Sequence, residues 1–147
     1  MRRFCYIIAL WACAAALCQN TESPREPHSI KLENTGHGYW KEGRPFLLRT
    51  YVTSDGTRAD LTFLTFHSLR EANQYIAAFL DSHAKVIYRA RNKDTKGQVI
   101  GERIVAVREV SGKKDFTLIR RVGLNGYFIV SSCLTSAIEV EQEAVTE

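Results

Sequence analysis

The sequence predicts an α+β domain built on one antiparallel sheet. Three observations carry that expectation: two alternating strand-like runs around an Asp55-Gly56 turn, one amphipathic helix opened by a capping box at 68–71, and four more strand-like runs joined by short polar turns. Hairpin-linked strands with helices set apart from them belong to α+β rather than α/β architectures. The expected order is β-β-α-β-β-β-β-α: a hairpin, a main helix packed on the sheet, a four-strand meander and a short C-terminal helix, about six strands in all.

The elements follow in order. Arg2 and Arg3 precede an uncharged run at 4–17 rich in Ile, Leu and Ala. A spanning helix needs roughly 20 apolar residues, so this run is a secretory leader rather than a lasting membrane anchor. Ala16 and Cys18 supply the small residues for cleavage before Gln19, and Ala14 with Ala16 offers a second register. Residues 1–18 are therefore expected as a signal peptide, and the location as secreted or periplasmic, outside the cytoplasm. Lipid attachment at Cys13 or Cys18 is a lesser alternative, because Trp11 sits inside the first small-residue box and Leu17 directly before the second cysteine. Residues 19–30, with Pro24 and Pro27 and no periodicity, read as a flexible linker to a single domain at 31–147.

Residues 30–40 are ambiguous: Gly36 and Gly38 suit a turn leading into a short edge strand. From Pro45, Phe46, Leu48, Thr50 and Val52 alternate with Leu47, Arg49, Tyr51 and Thr53, a period-2 pattern. Asp55-Gly56 tolerates the positive φ of a hairpin turn, and residues 56–60 make its loop longer than the minimal kind. Strand composition resumes at 61–66. Ser68 and Glu71 then form a capping box, in which the hydroxyl accepts the Glu71 amide and the carboxylate returns to the Ser68 amide. Leu69, Ala72, Ile76, Phe79, Leu80 and His83 make one apolar stripe, predicting a helix over 69–83. Strands are expected at 85–91, 98–110, 116–122 and 127–132, with Gly101 a candidate bulge. Leu134, Ala137 and Ile138 then suggest a short helix.

Composition narrows the function classes. Removing Arg2 and Arg3 from the 20 Lys and Arg leaves 18 against 16 Asp and Glu, a net charge of only +2 for the mature chain. A nucleic-acid binder is not expected at that balance. The charges do segregate: Lys85, Arg89, Arg91, Lys93 and Lys96 lie close together, whereas Glu139, Glu141, Glu143 and Glu147 crowd the C-terminus. Such a basic run can steer a protein or other anionic partner in the cell envelope. After cleavage Cys133 is the sole cysteine, so the fold must rest on packing without an internal disulfide.

Candidate sites are sparse. Cys133, His67 and Asp60 are the residues from which a nucleophile, base and orienting acid would have to be assembled, which needs all three within hydrogen-bond reach. His28, His37, His67 and His83 show no metal-ligand spacing, so no metal or other cofactor is expected. Tyr39 and Trp40, beside a Gly-flanked segment, are the candidate exposed ligand surface. Gln98-Val99-Ile100-Gly101, downstream of a helix and a strand, resembles the Gln-x-Val-x-Gly hairpin of cystatin-type protease inhibitors. It is one residue short of that motif, and the later Pro-Trp loop is missing. The resemblance implies a cysteine-protease inhibitor.

The expected function is an exported, non-enzymatic binding or interaction domain with no transmembrane span in its mature chain; a small Cys/His hydrolase or thiol enzyme is the alternative. N-terminal sequencing of the exported protein should return Gln19 as the first residue. An intact Met1 on the folded protein refutes export, and diacylglycerol on Cys13 or Cys18 establishes the lipoprotein form instead.

Overall fold

The computed structural model describes residues 30–40, 43–80 and 84–146. The elements run β1 (Lys31–Trp40), β2 (Arg44–Val52), β3 (Arg58–Thr65), α1 (Leu69–Leu80), β4 (Lys85–Lys93), β5 (Val99–Val110), β6 (Lys113–Val122), β7 (Asn125–Ser131) and α2 (Leu134–Thr146). All seven strands belong to one antiparallel sheet in the order β1-β2-β3-β7-β6-β5-β4. The chain thus makes two meanders, β1–β3 and β4–β7, joined edge to edge where β3 pairs with β7. The expected leader and the expected linker up to residue 29, with Cys13, Cys18 and His28, lie outside the described residues, as does His83; Ile30 is described and packs, partly buried, against the α2-side core. Among the described residues no helix is long and apolar enough to cross a membrane.

The α+β class holds, with two corrections. The sheet has seven strands rather than about six, because 31–40 is a full strand. Neither of its glycines makes a turn, and Gly38 serves close approach: a Cβ there would collide with the ring of Phe46 on the neighbouring strand. The C-terminal helix is no minor appendage. It is 13 residues long against 12 for α1, and the two helices cover opposite faces of the sheet.

Strand alternation divides the core accordingly. Ala59, Leu61, Val105, Leu118 and Ile129 point to the α2 face and meet Ala137, Val140 and Ala144. Leu64, Ile104, Ile119 and Phe128 point to the α1 face and meet Ala72 and Ile76. The contact residues differ in size, and the geometry follows. Small α2 side chains let its backbone approach β3, β6 and β7 closely. The α1 helix rides higher, on rings: Phe128 lies 5.0 Å from both Tyr75 and Phe79 and 6.4 Å from Phe66, centroid to centroid. Gly126 admits this cluster, since a Cβ there would stand 2.8 Å from the rings of both Phe66 and Phe128.

The turns are tighter than the sequence suggests. The β2–β3 loop closes with Gly56 N–H donating to Thr53 O at 2.9 Å, so β3 already starts at Arg58. Asp55 accepts from the Thr53 hydroxyl at 2.6 Å and the Thr57 amide at 2.9 Å. Those bonds, the Thr53 one foremost, hold its carboxyl below the usual aspartate range. Ser111 and Gly112, at φ 52° and 76°, form a two-residue turn between β5 and β6 with both centres left-handed. The irregularity expected at Gly101 falls beside it. Asn92 pairs with Gly101 and Lys93 with Val99, leaving Ile100 as the extra residue.

Ser68 caps α1: its hydroxyl accepts the Glu71 amide at 3.2 Å. The reciprocal bond differs from the expected one, because the Glu71 carboxylate takes the amide of His67, at 2.9 Å, rather than that of Ser68. Glu71 also forms an ion pair with Arg44 at the start of β2, which draws the carboxylate outward. Phe128→Ala should cost about 3–5 kcal/mol, through lost transfer energy and the cavity left behind, whereas Ser68→Ala should cost about 1 kcal/mol. Urea melts of the two variants measure the difference. Equal effects would mean that the ring cluster does not anchor α1.

Candidate functional site

The stand-off of α1 leaves a cleft between the helix and the β4–β5 edge of the sheet, with a volume of about 360 Å³. Ile76 and Leu80 form its apolar wall, Asn73 stands at its rim, and Arg89, Arg91 and Glu102 line its floor. Register explains the floor. Arg91 pairs with Glu102, Glu102 with Arg121, Arg121 with Gly126 and Gly126 with Leu64, one row running across five strands. By alternation this row faces α1, as Ile104, Ile119 and Phe128 do.

Glu102 and Arg121 are nearly without solvent contact, at 3% and 1% exposure. Burying ions is costly unless they are paired and hydrogen-bonded. The pairing here is lopsided. Arg89 donates to one Glu102 oxygen from Nε at 3.1 Å and from Nη2 at 2.7 Å. Arg121 Nη2 reaches the other oxygen at 3.4 Å, and Arg91 Nε stands 3.8 Å from the first. Three guanidinium groups therefore share one carboxylate, and the cluster keeps a net charge of +2. Arg121 spends its remaining donors on backbone, with Nη1 to Gly123 O at 3.1 Å and Nη2 to Val99 O at 3.2 Å. Its Nε has no hydrogen-bond partner among the described residues.

The arginines give the cleft a capacity for recognising anions. Guanidinium groups donate and do not deprotonate in proteins, and they match carboxylate and phosphate oxygens in pairs. Among the described residues, the lining carries no hydroxyl, thiol, imidazole or amine, and its one carboxylate is Glu102. Arg89 and Arg91 remain 38% and 48% exposed at the side chain, so both can reach an incoming anion while contacting Glu102.

The residues singled out from the sequence lie elsewhere. Cys133 caps α2 at one end of the sheet: Ala137 N–H donates to its carbonyl at 3.2 Å. Its thiol is held below the ordinary cysteine range by the Ser136 amide first, then by the Ser136 hydroxyl. His67 precedes α1 at the other end. Pairings Ala59↔Ser131 and Thr65↔Asn125 bracket the six-residue interval between those ends, a span of about 20 Å at ~3.3 Å per residue. Thiol and imidazole are thus not brought together. Asp60 is exposed on β3, where it accepts the Thr50 hydroxyl at 2.7 Å. His67 instead lines a second hollow of about 370 Å³ with His37, Pro45, Phe46 and Phe63. Tyr39 is 78% exposed on β1, the edge opposite the arginine cleft, and the Trp40 side chain lies outside the described residues. Gln98 closes the β4–β5 turn through its amide to Asp94 Oδ1 at 2.8 Å, while Gly101 is buried within the sheet. Among the described residues no three His, Cys, Asp or Glu side chains converge as metal ligands would.

No family model, curated protein or solved structure matches this chain. Its site has to be read from its own geometry. Arg89 and Arg91 fall in the basic run visible in the sequence, but Glu102 and Arg121 were missed. In the sequence they stand beside Arg103 and Arg120, and nothing local marks which charge of each pair turns inward. Glu102→Ala should destabilise the fold by about 3–5 kcal/mol, because it leaves Arg121 buried without a counter-charge. The double variant Glu102→Leu, Arg121→Met should cost less than that single change. Thermal melts compare them, and a double variant at least as unstable as the single one would show that the pair's charge is not what the core requires.

Proposed function

We propose that this protein is an exported, non-enzymatic binding domain that takes an anionic group in the cleft between α1 and β4. One observation carries the reading: three arginines converge on one buried carboxylate and leave two positive charges in excess at the mouth of a partly apolar cleft. A cluster serving only to neutralise Glu102 would need one cation. The leader-like residues 1–18 support export, and the engagement of the Glu102 carboxylate by Arg89 and Arg121 supports binding over catalysis.

The ligand class follows from the donors. Arg89 and Arg91 project from alternate positions of one strand, roughly 7 Å apart along it. That spacing suits a ligand with two carboxylates, or one carboxylate beside an apolar group lying on Ile76 and Leu80. NMR titration of the mature protein with citrate, and separately with inorganic phosphate, tests this. Saturable amide shifts should appear at Asn73, Leu80, Arg91 and Val99. Arg91→Gln, which spares the Arg89 and Arg121 bonds to Glu102, should weaken citrate binding at least tenfold. Shifts that never saturate, or that Arg91→Gln leaves unchanged, overturn the proposal.

A further inference from the structure

We infer that β4 is a docking edge for an extended, acidic segment of a partner protein, which adds as an eighth strand and places acidic side chains over Arg89 and Arg91. This deepens the anion-cleft reading and rests on it.

The argument starts from backbone. Among the described residues β4 ends the sheet and has no strand on its outer side. Half of its amides and carbonyls therefore point outward unpaired, the arrangement that accepts another chain by strand addition. Between the register shift at Val86/Tyr88 and the one at Asn92/Lys93, residues 88–92 pair regularly with β5. An incoming strand thus meets a straight run of five residues, framed by two irregularities that limit how far pairing can extend.

Charge then selects the partner. β4 carries Lys85, Arg89, Arg91 and Lys93 and no acidic residue. The opposite edge, β1, carries Lys31 with Glu33 and is interrupted by Gly36 and Gly38. Only the β4 edge has a uniform sign. Pairing β4 with a second copy of itself would set cations against cations, which is destabilising on directly opposed positions. An acidic strand is favoured by the same rule. Edge lysines alone would be ordinary protection against aggregation, but this edge also exposes Val86, Ile87 and Tyr88 at 41%, 49% and 48%. Protection by charge does not call for three consecutive half-exposed apolar residues.

Alternation supplies the pattern of the segment. Arg89 and Arg91 lie on the α1 face, beside the cleft, and Tyr88 and Ala90 on the α2 face, where Arg103 stacks on the Tyr88 ring at 5.8 Å. The partner strand therefore carries acidic residues at alternate positions on one face and apolar residues on the other.

The test uses the mature protein and an eight-residue peptide alternating glutamate with valine and tyrosine. Two control peptides are the same sequence N-methylated at alternate backbone amides, and a version with lysine for glutamate. Binding of the first should slow hydrogen exchange of the outward β4 amides at least tenfold, with N-methylation and lysine each abolishing it. Lys85→Glu with Lys93→Glu, neither of which contacts Glu102, should weaken the acidic peptide at least tenfold. An N-methylated peptide that binds as well as its parent, or a bound parent that leaves β4 exchange unchanged, overturns strand addition. So does protection of β4 that rises with protein concentration alone, which would make a second copy the occupant. If citrate titrates the cleft while the peptide leaves β4 untouched, this inference fails and the anion cleft stands; if neither binds, both fail.

Discussion

Glu102 and Arg121 face each other across β5 and β6 with almost no access to water, and much of the α1 side of the domain is arranged around that pair. A carboxylate so placed needs donors at both oxygens, which fixes Arg89 on β4 and Arg121 on β6. The buried guanidinium needs acceptors in turn. It finds them in the carbonyls of Val99, where β5 begins, and Gly123, where β6 turns into β7. One ionic contact thereby ties two chain reversals to the sheet. Since a buried pair is a poor source of net stability compared with apolar packing, its presence points to specificity of register and to the cleft above it.

Side-chain size governs the rest of the architecture. On one face, Ala137, Val140 and Ala144 let a helix settle onto the sheet, and the buried Ser136 hydroxyl meets Thr53 at 3.1 Å to lock its first turn. Arg103 fastens the same helix by a two-pronged pair with Glu141, at 2.6 to 2.9 Å. On the other face, aromatic rings hold the helix away, and the space they leave towards β4 is the cleft. Large residues under one end of α1 thus create room under its other side.

Much of this was legible beforehand, and the reasons are physical. Alternation marks 46–52 as a strand, runs of β-forming residues between polar turns mark 116–122, and Ser68 with Glu71 marks where a helix starts. Strand β1 was obscured because Gly38 makes room for Phe46, and a glycine needed for space looks the same in sequence as one required by a turn. The site was obscured for a related reason. In an alternating strand a charged residue is ordinarily the one that faces solvent, so Glu102 and Arg121 read as surface until both faces of the sheet prove to be covered. Cys133, His67 and Asp60 drew notice for their chemistry alone, and no local pattern could reveal that sheet length separates the first two.

The two meanders are each made of neighbours in sequence, but the seam between them is not. Pairing Thr65 with Asn125 joins positions 60 residues apart, and Ala59 with Ser131 joins positions 72 apart. Closing loops of that size costs chain entropy before any contact repays it, and topologies dominated by such closures fold slowly. Until that seam forms, β3 and β7 are both open edges, with Leu61, Leu118 and Ile129 not yet covered by α2. An open, unpaired strand edge is a template for pairing with the wrong strand, so the closure of this long-range seam is also what removes two such templates from the chain.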